Sequence, residues 1–138
     1  MKRARDRRLE TVDNVLRAFA DPTRLRIAAL LVSGEVCVCH IHDALKIPQS
    51  TASRHLAYLR RAGMVETRKD GLWVHYRLSS VPDAVVRTLV DAAIHCAGHL
   101  DTVMADRKRL EKATGCCVQE AMPERSCCGE WPQPMPVG

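Results

Sequence analysis

Residues 46–78 read KIPQSTASRHLAYLRRAGMVETRKDGLWVHYRL, and the hydrophobic period changes inside this stretch. Lys46-Ile47-Pro48 is a breaker. After it Ala52, Leu56 and Leu59 recur at helical spacing, which predicts a helix over about 49–62 closed by Gly63. From Met64 the period falls to two. Residues 64–69 and 72–78 flank Asp70-Gly71, a strong two-residue hairpin signal. In that register Leu72, Val74, Tyr76 and Leu78 share one face with Val65 and Thr67, and Trp73, His75 and Arg77 point the other way, beside Arg68.

Working upstream, Leu9, Val12, Leu16 and Phe19 predict an amphipathic helix over about 7–20. Asp21-Pro22 starts another, with Asp as N-cap and Pro at the first helical position; it carries Leu25, Ile27, Leu30 and Leu31 and ends at Gly34. A short helix over about 40–46 leads to the breaker. Downstream, Pro82 to about Lys112 returns to helix, with a stripe from Val85 and Val86 to Val103 and Met104 that is wider than one small core needs. That width favours a homodimer interface formed with the first helix. The expected order is α-α-α-α-β-β-α: mainly α with a β-hairpin wing, a winged helix–turn–helix. Residues 1–112 form the expected domain, and 113–138, rich in Cys and Pro, a flexible tail.

A tight turn followed by a helix with small polar residues at its start suits the DNA major groove. Gln49, Ser50, Ser53 and Arg54 lie on the first turn and a half, with Thr51 and His55 beside them. Gln matches adenine, Arg matches guanine, and Ser serves bases or phosphates. The hairpin tip with Arg68 and Lys69 extends as a wing toward phosphates or the minor groove. Charge follows this plan. The net +5 divides into +3 over residues 1–10, +5 over 46–77 and −3 elsewhere, the distribution expected of a polyanion-binding domain.

The chain has 138 residues, 46% of them hydrophobic and only five aromatic, so Leu, Val, Ile and Ala must build the core. No apolar run approaches the ~20 residues that span a bilayer, and no apolar segment follows the basic start, so the expected location is cytoplasmic with no membrane partner. Seven cysteines are an odd set for a disulfide framework and point to metal or redox chemistry. An enzyme is not expected. None of the seven has Arg six residues on, as a phosphatase-like anion loop needs, and no Cys-x-x-Cys occurs.

Four segments together resemble the ArsR/SmtB family of metal-sensing repressors, its arsenic-responsive members most closely: Ala20-Asp21-Pro22-Thr23-Arg24-Leu25-Arg26-Ile27, Cys37-Val38-Cys39, Ser53-Arg54-His55-Leu56 and Trp73-Val74-His75-Tyr76-Arg77-Leu78-Ser79. The resemblance spans about residues 9–100. It implies a homodimer joined through its first and last helices, which binds an imperfect palindrome in double-stranded operator DNA and releases it when an inducer binds. Gln49, Ser50, Ser53 and Arg54 match the positions with which the family reads DNA. Arsenite, and antimonite as its heavier analogue, are the inducers implied, and both favour three sulfurs.

Cys37 and Cys39 stand at or just before the first turn of the short helix. Residues i and i+2 of a regular helix do not face each other, so one soft ion takes both thiolates only where the backbone departs from helix. Helix N-termini also favour the thiolate form. Ligation there is expected to distort the helix start and move the reading helix out of register. The third donor is open between His42, which stands where some look-alikes carry a third Cys, Cys96 on the last helix, and Cys116 or Cys117 in the tail; Cys127 and Cys128 are also within reach of an extended chain. Zinc, cadmium or lead on Cys37, Cys39 and His42 is one alternative, and a thiol redox switch another. His95 and His99, with Asp91 and Asp101, read as a solvated polar face, since Ala93 stands where the zinc-sensing relatives need His.

Overall fold

The structure, a computed structural model, describes residues 4–113, and the tail cysteines lie outside them. The elements are α1 (Ala4–Phe19), α2 (Pro22–Leu30), a 3-10 turn (Leu31–Ser33), β1 (Val36–Cys37), α3 (Val38–Leu45), α4 (Gln49–Arg61), β2 (Val65–Asp70), β3 (Trp73–Leu78), α5 (Ala84–Gly98) and α6 (Asp101–Ala113). The winged helix–turn–helix is the one read from the sequence. Asp21 caps α2, its carboxylate accepting from the N–H groups of Thr23 at 2.8 Å and Arg24 at 3.1 Å. Lys46 ends α3 in the left-handed region, at φ 56°, and Ile47-Pro48 carries the chain into α4.

Three details differ from the sequence expectation. Asp70 pairs with Trp73, so the hairpin loop is Gly71-Leu72, one residue later than the dipeptide signal. Gly71 alone of the two has positive φ, 61°, as a type II′ turn requires. Second, β1 adds a third strand: Val36 pairs with Tyr76 and Cys37 with His75, giving the order β1-β3-β2. A two-residue strand has no period to read.

Third, the helix expected over 82–112 is two helices. At Gly98 a Cβ would lie 3.0 Å from Arg107 Nη1, so the missing side chain admits the guanidinium, which donates to the Ala29 carbonyl at 3.2 Å. α6 thereby folds back onto α2 and α3. Asp106, fully buried on α6, accepts from Arg26 and Arg109. Those arginines also donate to the last carbonyls of α3, Leu45 at 3.1 Å and Ala44 at 2.6 Å.

The wide stripe divides accordingly. Val86, Val90, Ile94 and Leu110 pack with Ile27, Leu30, Leu31, Ile41, Leu56 and Leu59 in one core, while Val85, Leu100 and Met104 stay exposed. On α1, Val15 and Ala18 face inward, whereas Leu9 and Leu16 are 69% and 53% exposed. Among the described residues no helix is long and apolar enough to cross a membrane.

Candidate nucleic-acid interface and thiol site

Ala52, Leu56 and Leu59 anchor α4 to the core. This leaves Gln49, Ser50, Ser53 and Arg54 exposed together on its opposite face, with Thr51 half-buried at the edge. His55 is turned away from them. Its Nδ1 lies 3.5 Å from Arg24 Nη1 and 3.9 Å from Asp21 Oδ1. The Arg24 guanidinium lies 4.0 Å over the Tyr58 ring and donates to the Ala18 carbonyl at 2.8 Å, so α1, α2 and α4 are fastened around one cation.

The two wing cations part company. Lys69 is exposed near the tip, beside Leu72 at 97% exposure. Arg68 is directed inward, where both its Nε and Nη2 donate to the Glu35 carboxylate. Further down the hairpin Arg77 pairs with Glu66 directly across the strands, at 2.9 Å.

Cys37 ends β1 and is the N-cap of α3, with extended backbone (φ −79°, ψ 155°), and it is fully buried. Cys39 is the second residue of α3. The Cys-Val-Cys segment therefore spans a strand-to-helix junction, which removes the objection that i and i+2 diverge on a helix. The ligand atoms of Cys37, Cys39 and His40 all lie within 4.8 Å of one another. A tetrahedral ion with bonds of about 2.3 Å to sulfur holds its donors about 3.8 Å apart, so the group would close by about 1 Å or less.

His40 is the candidate donor that sequence reasoning missed. The signal was its place next to Cys39. His42 lies in the last turn of α3 and Cys96 is exposed on α5; neither belongs to the group, and Cys116 and Cys117 lie outside the described residues. Burial pushes the His40 imidazole below its ordinary range, against the opposing charge of Asp43, which favours the neutral form that ligates metals.

His75, the cross-strand partner of Cys37, is also fully buried. Neither ring nitrogen makes a hydrogen bond within the described residues, and Glu35 Oε1 stands 3.4 Å from Nδ1. Burial first, then the Arg68 charge, lowers its titration despite Glu35. An unpaired buried polar group costs about 1–3 kcal/mol, which makes this imidazole an anomaly of the site. His95 on α5 and His99 at its C-cap, both exposed, bring their Nε2 atoms to 3.4 Å.

A family model described as "Bacterial regulatory protein, arsR family" matches residues 21–67, from the cap of α2 into the wing. The arsenical resistance operon repressor of Escherichia coli (strain K12) is 46% identical over 83 residues, covering 59% of this chain and 71% of that one. A cadmium resistance transcriptional regulatory protein CadC homolog of Staphylococcus aureus is 39% identical over 83 residues, 59% of this chain and 66% of the relative. Among solved structures, the homodimeric winged helix–turn–helix DNA-binding domain of a possible ArsR-family regulator from Mycobacterium bovis superposes with a TM-score of 0.58 at 30% identity, covering 73% of this chain and 92% of that one.

Proposed function

The chain belongs to the arsR family of bacterial regulatory proteins, DNA-binding transcriptional repressors and not enzymes, and from that premise we propose that it releases its operator when arsenite or antimonite binds the thiolates of Cys37 and Cys39. One observation carries the reading: two sulfurs held close at a strand-to-helix junction, at the head of the helix that leads into the reading helix. The similarity to an arsenical resistance repressor supports the choice of inducer.

The chemistry is ligand exchange. Arsenous acid trades each hydroxyl for a cysteine sulfur, and the thiol's proton leaves with that hydroxyl as one water for each sulfur bound. Cys37 and Cys39 draw together and pull on the first turn of α3. That helix is eight residues long and is followed by α4 after only residues 46–48, so a displacement of its start is passed to Gln49, Ser50, Ser53 and Arg54. The repressor would act as a homodimer on an imperfect palindrome. Leu9 and Leu16 of α1, with Val85 at the start of α5, supply exposed apolar surface for the partner. A third sulfur would come from Cys116 or Cys117. A variant truncated after Lys112 that still responds to arsenite would remove the tail from the sensor.

His40 favours a second reading. A Cys2His group suits divalent zinc, cadmium or lead better than arsenic. Titrating the operator complex with arsenite, antimonite, cadmium, lead and zinc decides between them. The proposal expects release at the lowest concentrations of arsenite and antimonite; release by the divalent ions first would reverse the assignment.

A further inference from the structure

We propose that His75 is a fourth donor beside Cys37, Cys39 and His40, making a two-sulfur, two-nitrogen site through which a thiophilic divalent cation is held by the wing as well as by α3. The inference rests on the reading of Cys37 and Cys39 as the ion-binding thiolates, and it concerns the divalent cations of the second reading.

Position is the first argument. In an antiparallel sheet, residues directly opposite share a face with Cβ atoms about 4.5–5.5 Å apart. Cys37 of β1 and His75 of β3 are such a pair, and both are fully buried. Arg68 of β2 is the next residue across, so Cys37, His75 and Arg68 form one row over the three strands. His75 lies outside the three donors that sit within 4.8 Å of one another, so its ring must close on the sulfurs as the cation binds.

Donor demand is the second. His75 brings two nitrogens into a dry site and finds no hydrogen bond for either among the described residues. Protein acceptors do not answer it. Glu35, the carboxylate at hand, is occupied by both Nε and Nη2 of Arg68. A cation bound to the neighbouring sulfurs gives one of these nitrogens a partner.

Charge balance is the third. Two thiolates and two neutral imidazoles compensate a divalent cation, leaving a buried site without net charge. The Glu35–Arg68 pair beside it also sums to zero. A cation held by this set would fasten β1 to β3, so the wing strand would report its presence directly.

Cobalt(II) is the probe, used on the full-length chain with Cys96, Cys116, Cys117, Cys127 and Cys128 replaced by Ser. The proposal expects tetrahedral ligand-field bands together with thiolate-to-cobalt charge transfer. His75→Gln should lose the four-coordinate bands and weaken cobalt binding about ten- to a hundredfold. His75→Cys should keep them and raise the charge-transfer intensity by about half, because three thiolates replace two. Circular dichroism and operator binding without cobalt verify both folds, and the Cys variant decides the matter if the Gln variant does not fold. A His75→Gln protein with unchanged spectrum and affinity, or a His75→Cys protein with unchanged charge transfer, overturns the assignment of His75 alone. Absence of thiolate charge transfer before any change at His75, or its undiminished intensity in Cys37→Ser, overturns the thiol-site reading as well.

Discussion

Arg26 of α2 donates from Nε and Nη2 to the Asp106 carboxylate of α6, both at 2.8 Å, across 80 residues of sequence. The pair fixes more than two helices. Arg26 also reaches the Leu45 carbonyl, and Arg109, bound to the same carboxylate, reaches Ala44, so the last turn of α3 is held while its first turn carries the thiols. A helix clamped at one end and pulled at the other tilts as a unit.

Removing Asp106 tests the clamp. The carboxylate is fully buried, and its loss leaves two arginines facing a cavity. Asp106→Ala should lower unfolding stability by about 3 kcal/mol, read from the urea midpoint. Asp106→Asn should recover only part of this, since it keeps the shape without the charge.

Arg54 and Lys69 should fail in different ways. Arg54 stands exposed on the reading face, and Arg54→Ala should cost about 1–3 kcal/mol on the cognate operator while relaxing discrimination at one base pair. Lys69→Ala should weaken all sequences alike and reduce the salt slope of binding by about one. Both are read by fluorescence anisotropy over a salt series. His55→Ala should leave the slope unchanged, because that ring is engaged with Arg24 and Asp21.

The α2 cap gives a pH signature. Burial raises the Asp21 carboxyl, but the N–H of Arg24, the charges of His55 and Arg24 and the N–H of Thr23 outweigh it and leave the group below its ordinary value of 3.8. A lowered folded value means the stabilisation is complete above pH 3.8 and is lost as pH falls through the folded value. Asp21→Ala should cost about 1 kcal/mol at neutral pH, with the difference shrinking in acid. Asp21→Asn keeps a cap and should lose the pH dependence. Denaturant unfolding at stepped pH measures both.

Leu16 is 53% exposed beside Leu9 on α1, surface that a homodimer would cover. Leu16→Glu should shift sedimentation velocity from dimer to monomer and weaken binding to a two-half-site operator far more than to a half-site. A variant that remains dimeric would move the interface away from α1.

How far the sequence reaches can be seen residue by residue. The α2 cap, the span of α4 and the face of Gln49, Ser50, Ser53 and Arg54 were legible, since a cap, a breaker and a 3.6 period act locally. β1 was not, because its two residues become a strand only by pairing with β3. Without β1, nothing local signalled that His75 is buried or that Arg68 turns to Glu35. The break at His99-Leu100 was hidden for a similar reason. It depends on Arg107 approaching Gly98, and on Arg26 and Asp106 finding each other, none of which leaves a periodic trace. Cys37 and Cys39 were found as a pair, but their closeness depends on the extended backbone at Cys37.

The central claim is that both of these sulfurs are required to convert inducer binding into release. The most direct measurement titrates arsenite, under reducing conditions, into full-length protein bound to fluorescent operator DNA, comparing wild type with Cys37→Ser and Cys39→Ser. The account predicts that all three bind the operator equally well and that only wild type lets go. Release of either variant at the wild-type arsenite concentration would contradict it.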